Sequence, residues 1–367
     1  MKKIKLSLFL ILALVLAACG NTTSTHGGES NQGNNSNNTN GSESSGDEKY
    51  VLTMTHGYGP DSSHDNIVEW YADEVEKRSN GRLVIDIYPN GQLVPIDQEV
   101  SGVLQGQVDM SHTSSPNLAS FDPIWNFFEL PFTFDYKPED PSYYLEQRSQ
   151  FINDENGGQW FAKNMEGKGL TVLGIAYTDI FGSVFTNDDS KLLSSQDNAK
   201  TLRVRSPGGI ITPETIQALG GSSMTISGTE AITALQQGVI DGMLTVPMYA
   251  HESQLPVKTY TVAPMFNPVT TILIKTEKFH SLPEDLQQLL IDTGKDYEQN
   301  AKEMIINNLP TVLEKLESEM GVEIYYPTDE EIAAMREAVE PVWEFFEKEV
   351  DGGKEIMDSL STFNPTQ

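Results

Sequence analysis

The chain has 367 residues, enough for two or three domains. Its 53 Asp and Glu against 24 Lys and Arg give a formal charge of -29. That argues against nucleic acid or an anionic membrane surface as partner, because phosphate binding needs clustered cations. Hydrophobic residues at 38% and aromatics at 9% suffice for real cores, so most of the chain is expected to be globular.

The amino terminus reads as a targeting segment. Lys2, Lys3 and Lys5 make a positive start, and Leu6 to Ala18 is an apolar run too short to span a bilayer comfortably but suited to a signal-peptide core. It ends in Leu16-Ala17-Ala18-Cys19, which resembles the bacterial lipobox, where cleavage leaves the cysteine to carry lipid. Cys19 is the only cysteine, which excludes intramolecular disulfides and cysteine-based metal clusters. Residues 20 to 48 are rich in Asn, Ser, Gly and Thr with no large apolar side chain, so burial cannot offset their ordering entropy. The expected division is a signal peptide over 1–18 and a lipidated tether over 19–48. This is the profile of an extracytoplasmic protein anchored by lipid to the cell membrane, either a binding lipoprotein or a surface enzyme.

The mature chain then alternates. Tyr50 to His56 reads as a strand, Ser62 or Ser63 caps a helix, and Asn80-Gly81 closes it. Arg82 to Tyr88 is a second strand, Asp97 to Gln105 a helix, and Gln107 to His112 a third strand. A second cycle starts with Leu202 to Arg205, a helix opening at Thr212-Pro213-Glu214, Ser222 to Ile226, a helix from Ser227 to Gly238, and Val239 to Val246. Leu104 to Met110 and Leu235 to Met243 echo each other as a helix end, a glycine stop and a strand bearing an aspartate, Asp109 or Asp241. Two such cycles predict two α/β lobes, each with a parallel sheet, and a closable cleft beyond the carboxyl ends of the strands. The last third is helical. A long helix from Ser281-Leu282-Pro283 past Pro310 would brace both lobes, and Thr328-Asp329-Glu330-Glu331 opens another.

No catalytic constellation emerges. There is no Gly-rich phosphate loop with a lysine, no Gly-x-Ser-x-Gly elbow and no His-Glu-x-x-His. His56 and His112 both end strands of the first lobe and are candidates to meet at its binding edge. With no third ligand in view, neither a metal nor a cofactor is expected. A hydrolase using Asp109 or Asp241 stays open as an alternative. Arg205, at the end of its strand and two residues before Pro207, is the candidate clamp for a carboxylate, since its planar fork matches that group bidentately.

The chain resembles the DctP-type solute-binding subunits of tripartite ATP-independent periplasmic (TRAP) transporters. The residues that carry the likeness begin with Ala72 to Leu83, Tyr88 to Leu93 and Leu104 to Met110. Glu129-Leu130-Pro131-Phe132, Leu202 to Pro207, Ala218 to Gly221, Ala234 to Gly242 and Ser281 to Glu284 follow in family order. The resemblance implies a two-lobed periplasmic-binding-protein-like fold that closes on an organic acid and delivers it to a sodium-coupled pair of small and large membrane subunits. It implies lobe one over 49–179 with 271–313 and lobe two over 180–270 with 314–367. It puts Arg205, rather than Arg203, on the family's signature arginine. Many members carry a second arginine before a Thr-Asn pair, where this chain has Ser183, and an asparagine soon after Asp-Gly, where Thr245 stands. That favours a monocarboxylate, or a bulkier acid, over a doubly charged one. Tyr58, Tyr177, Phe181, Tyr249 and Phe266 are candidate walls, joined by His56, His112 and Ser114. A binding lipoprotein of an ATP-driven importer is the other alternative.

Overall fold

The computed structural model describes residues 48–138, 140–193 and 196–360. The expected signal peptide, Cys19 and the tether up to residue 47 lie outside them. Two sheets organise the chain. The first holds β1 (Tyr50–Thr55), β2 (Leu83–Tyr88), β3 (Met110–Ser114), β4 (Leu170–Tyr177) and a late strand, Val269–Lys275. The second holds β5 (Ser183–Thr186), β6 (Arg203–Ser206), β7 (Ser222–Thr225), β8 (Gly242–Thr245), β9 (Thr259–Thr261) and a last strand, Glu323–Tyr325. In chain order those two late strands are β10 and β11. The spatial orders are β2-β1-β3-β10-β4 and β11-β9-β5-β8-β6-β7.

The expectation of purely parallel sheets is corrected here. β10 runs antiparallel to both β3 and β4, and β5 runs antiparallel to both β8 and β9. The other pairings are parallel. The reason is geometric. The chain leaves the first sheet at the carboxyl end of β4 and enters the second at the adjoining edge, so β5 must run away from that edge. The return through 262–268 imposes the same reversal on β10. A strand-by-strand reading of hydrophobicity carries no information about direction.

Local signals behave as the residues dictate. The Ser62 side chain accepts from the Asp65 amide at the start of helix Ser63–Arg78. Asn80 and Gly81 close that helix with positive φ, which both residues tolerate. The echoed aspartates share one structural job. Asp109 Oδ2 accepts the Thr53 amide in β1, and Asp241 Oδ2 accepts the Arg203 amide in β6. Each ties the start of one strand to its parallel neighbour. Both β3 and β8 begin later than expected because the preceding residues still belong to the helix stop: Gln107 N–H returns to Gly102 O and Val239 N–H to Ala234 O.

Helix Glu284–Ser318 runs unbroken through Pro310. Proline displaces the carbonyl four residues back, that of Ile306, and this turn is exposed, so water can satisfy it. Where the helix crosses β4 the backbones touch: a Cβ on Gly294 would drive into the Leu173 carbonyl oxygen. Leu173 is also where the β4–β10 register slips. Helix Asp329–Glu349 starts with a full capping box, in which Thr328 Oγ1 accepts from Glu331 N–H (3.2 Å) and the Glu331 carboxylate from Thr328 N–H (2.8 Å). Thr328→Ala is expected to cost about 1 kcal/mol, read as a lower urea midpoint with unchanged slope.

Candidate functional site

The parallel strands aim their carboxyl ends at the seam between the sheets, and the candidate residues gather there. Arg203 and Arg205 share one face of β6, so position along the strand separates them. Arg203 lies at the outer end, where its Nε and Nη2 donate to Asp241 at 2.7 and 2.9 Å, with Lys191 on the same carboxylate. These partners hold Asp241 well below the usual carboxylate range. Asp109 is likewise taken up by Thr53 and Lys278. Neither aspartate is placed to act as a hydrolytic acid or base.

Arg205 sits at the inner end and is only 8% exposed. Its Nε donates to Ile226 O at 2.8 Å, and among the described residues its two Nη groups have no hydrogen-bond partner. Burial pulls its guanidinium down to about 10, with Tyr249 and Glu129 opposing. Tyr249, on helix Pro247–Glu252, brings its hydroxyl close to the guanidinium across Gly228. Ser183 and Thr245 face each other in register at the same edge, and the buried Ser183 Oγ has no partner.

Facing these from the first sheet is a chain of rings. His56 directly follows β1, and its Nδ1 accepts the Tyr58 amide (3.3 Å). That places the ring proton on Nε2, which donates to Asp65 (3.0 Å). The Tyr58 ring stacks on His64 at 3.6 Å and 3°. His64 Nδ1 meets His112 Nε2 at 3.1 Å, His112 Nδ1 meets the Tyr297 hydroxyl at 3.3 Å, and that hydroxyl meets Thr270 at 2.7 Å. The two imidazoles bond each other directly, so no ion fits between them. Burial keeps all three histidines neutral: it lowers His56, takes His64 down to about 3 and pushes His112 well below the ordinary range. Ser114 ends β3, half-buried, and accepts from Asn117.

A folded-state value below the unfolded one means that His64 adds stability in full above about pH 6.5 and loses it as pH falls toward 3. His64→Gln, which stays neutral, should therefore close its stability gap to the natural chain on acidification. Urea midpoints at neutral and mildly acidic pH test this, and a constant gap would contradict it.

The remaining candidates lie at the crossings. Tyr177 ends β4, and its ring is covered by the Arg148 guanidinium at 3.6 Å. Phe181 is packed edge-on against Tyr136 and Tyr144, and Phe266 lies against the bare face of Gly182. Both rings are in the packing of the crossings. Arg148 itself is fully buried, with Nη2 on Asp179 O (2.8 Å) and with Nε and Nη1 unpartnered. Asp179 accepts from Ile180 and Met248 amides, and burial pushes it up to about 7. Arg205 is thus joined by a second buried cation, which the sequence did not signal. Also missed were His64, Glu129 and the contact from Ser63 N–H to Glu252 (2.9 Å), which joins the first helix to the second sheet's helix. Only Glu129 had a signal, as the first residue of Glu-Leu-Pro-Phe.

Two α/β sheets joined by three crossings, with a buried arginine facing a polar ring cluster, define a two-lobed receptor for a small polar solute. The profile of the DctP family, bacterial extracellular solute-binding protein family 7, matches residues 54–349, and the chain belongs to that family. It is 24% identical over 302 residues to the C4-dicarboxylate-binding periplasmic protein DctP of Rhodobacter capsulatus, covering 80% of this chain and 86% of that one. A TRAP periplasmic solute-binding protein from Haemophilus influenzae, solved with bound L-gulonate, superposes with a TM-score of 0.77 at 22% identity, covering 86% of this chain and 100% of that one. One from Desulfovibrio salexigens with bound orotic acid gives 0.78 at 21% identity, covering 86% and 98%. Members of the family are solute-binding proteins, which weighs against the hydrolase and ATP-importer alternatives. Among the described residues no helix is long and apolar enough to cross a membrane.

Proposed function

We propose that this protein captures an organic acid between its lobes, with the ligand carboxylate on Arg205, and hands it to the small and large membrane subunits of a sodium-coupled TRAP transporter. It binds and does not turn over its ligand. It works outside the cytoplasm, held to the membrane by lipid on Cys19, with lobe one formed by 49–179 and 271–313 and lobe two by 180–270 and 314–367. The observation that carries the reading is the pair of unpartnered Nη groups on a buried guanidinium, the geometry that a carboxylate completes. Tyr249, Ser183 and Thr245 line the same edge, and the Tyr58–His64–His112 rings face them with neutral polar groups. Arg205 is the cation at that edge, since the Arg148 guanidinium is stacked on Tyr177 and bonded to Asp179 O, and a single cation flanked by neutral donors suits a monocarboxylate with further oxygens or a ring. Related proteins that bind L-gulonate and orotic acid fit that description. A thermal-shift screen of organic acids, followed by calorimetry, tests it: a binder raises Tm by mass action, and a panel without any stabilising acid would overturn the reading.

A further inference from the structure

Glu129 and Arg205 are both buried, oppositely charged in their ordinary states, and not paired. Glu129, at the end of the 3-10 segment Pro123–Glu129, is fully buried. Its Oε1 accepts from Ser115 Oγ at 3.0 Å, and Ser115 Oγ in turn accepts the Val269 amide at 3.3 Å. That relay fixes the serine proton toward Oε1 and leaves Oε2, which is buried and has no partner. Each group acts electrostatically on the other, yet no ion pair forms between them among the described residues. Buried opposite charges with unused hydrogen-bonding capacity ordinarily close on one another. Here they are held on different elements, the 3-10 segment and β6, near enough to act on one another, and each keeps unused hydrogen-bonding capacity.

We infer that Glu129 is a second ligand-binding group, present as a neutral carboxylic acid that donates from Oε2 to the acid held by Arg205. The inference rests on the organic-acid reading above. Burial pushes the Glu129 carboxyl up to about 8, against the Ser115 hydrogen bond and the Arg205 charge. The groups facing it are Ser115 from helix Ser115–Phe121, which also takes the Val269 amide from β10, and Arg205 from β6. Arg205 is the one charge acting on it among the described residues. Neutral Glu129 leaves Arg205 its whole charge for the ligand and adds a donor. Ionised Glu129 repels the ligand carboxylate and competes for the guanidinium. Binding of the anion is therefore linked to a proton, and affinity falls as Glu129 ionises.

Two measurements on the mature protein test this. The first is infrared difference spectroscopy at neutral pH without ligand. A protonated-carboxyl band present in the natural chain and missing from Glu129→Gln is expected. A spectrum unchanged by the substitution shows Glu129 ionised and overturns the inference whatever the ligand is. The second is calorimetry with L-gulonate, orotate and succinate at pH 7 and 9. For any that binds, the natural chain should lose about tenfold in affinity over this range, while Glu129→Gln, which keeps a neutral donor, should hold its affinity within about twofold. Parallel pH profiles in the two proteins overturn the inference. If the band is present but no acid binds, the organic-acid reading fails, and with it the role of Glu129 toward such ligands.

Discussion

Arg205→Ala is expected to weaken binding of the acid by roughly 2–5 kcal/mol, or about 30-fold to several thousand-fold. The size follows from burial. The guanidinium is shielded from water, its Nε is held by Ile226 O, and both Nη groups are unpartnered, so a carboxylate there meets two charge-assisted hydrogen bonds in a medium that screens poorly. Arg205→Lys should recover only part of the loss, because an ammonium cannot reproduce the planar fork. Arg203→Ala is the control. That side chain answers Asp241 at the outer end of β6, so its removal should leave affinity unchanged. Calorimetry on the three variants, with thermal melts to confirm folding, decides it. Equal affinity in Arg205→Ala and the natural chain would remove the clamp from the mechanism.

The second large effect concerns the scaffold. Trp125→Ala is expected to destabilise the fold by about 3–5 kcal/mol. Trp125 is completely buried, with ring centroids 5.2 Å from Phe161 and 5.6 Å from Phe128, and its indole Nε1 donates to Met165 Sδ at 3.4 Å. Phe127, Phe151 and Phe346 continue the same cluster. Truncation leaves a void that rings on several elements cannot fill together, because each is fixed by its own helix. The segment 123–129 also carries Glu129, so a loosened Trp125 should reduce ligand affinity as well as the urea midpoint. A loss below about 1 kcal/mol would show that the cluster repacks.

The order of elements was legible because it is written in local chemistry. Ser62, Asn80-Gly81 and Thr328 with Glu331 act within a few residues of themselves, and each ended or began a helix where its side chain indicated. The family segments ordered the strands around Arg205 and singled it out from Arg203. Strand direction was not legible, since β5 and β10 are reversed by where the chain crosses. Nor were the partners of buried polar groups. His64 sits in a helix's first turn like any polar capping-region residue, and only the fold brings it to His112. Arg148 lies on helix Pro141–Asn153 among ordinary polar positions, and its burial under Tyr177 depends on chain 29 residues later in sequence order reaching back. Glu129 was visible as part of a motif, but its unpartnered Oε2 is a property of the folded chain around it.

The reversed strand β10 also governs how the molecule can assemble. β4 pairs with nothing but β10 in its sheet, and β10 is separated from it in sequence by the whole run from β5 to β9. Pairing of so distant a strand must wait for a large loop to close, which slows folding and leaves β4's apolar residues open to wrong contacts meanwhile. β1, β2 and β3 can associate early, and β5 to β9 can do so separately, but the first sheet is finished only after β10 is in place. Folding should therefore show a populated intermediate in which the amide protons of β4 exchange freely while those of β1 and β2 are already protected.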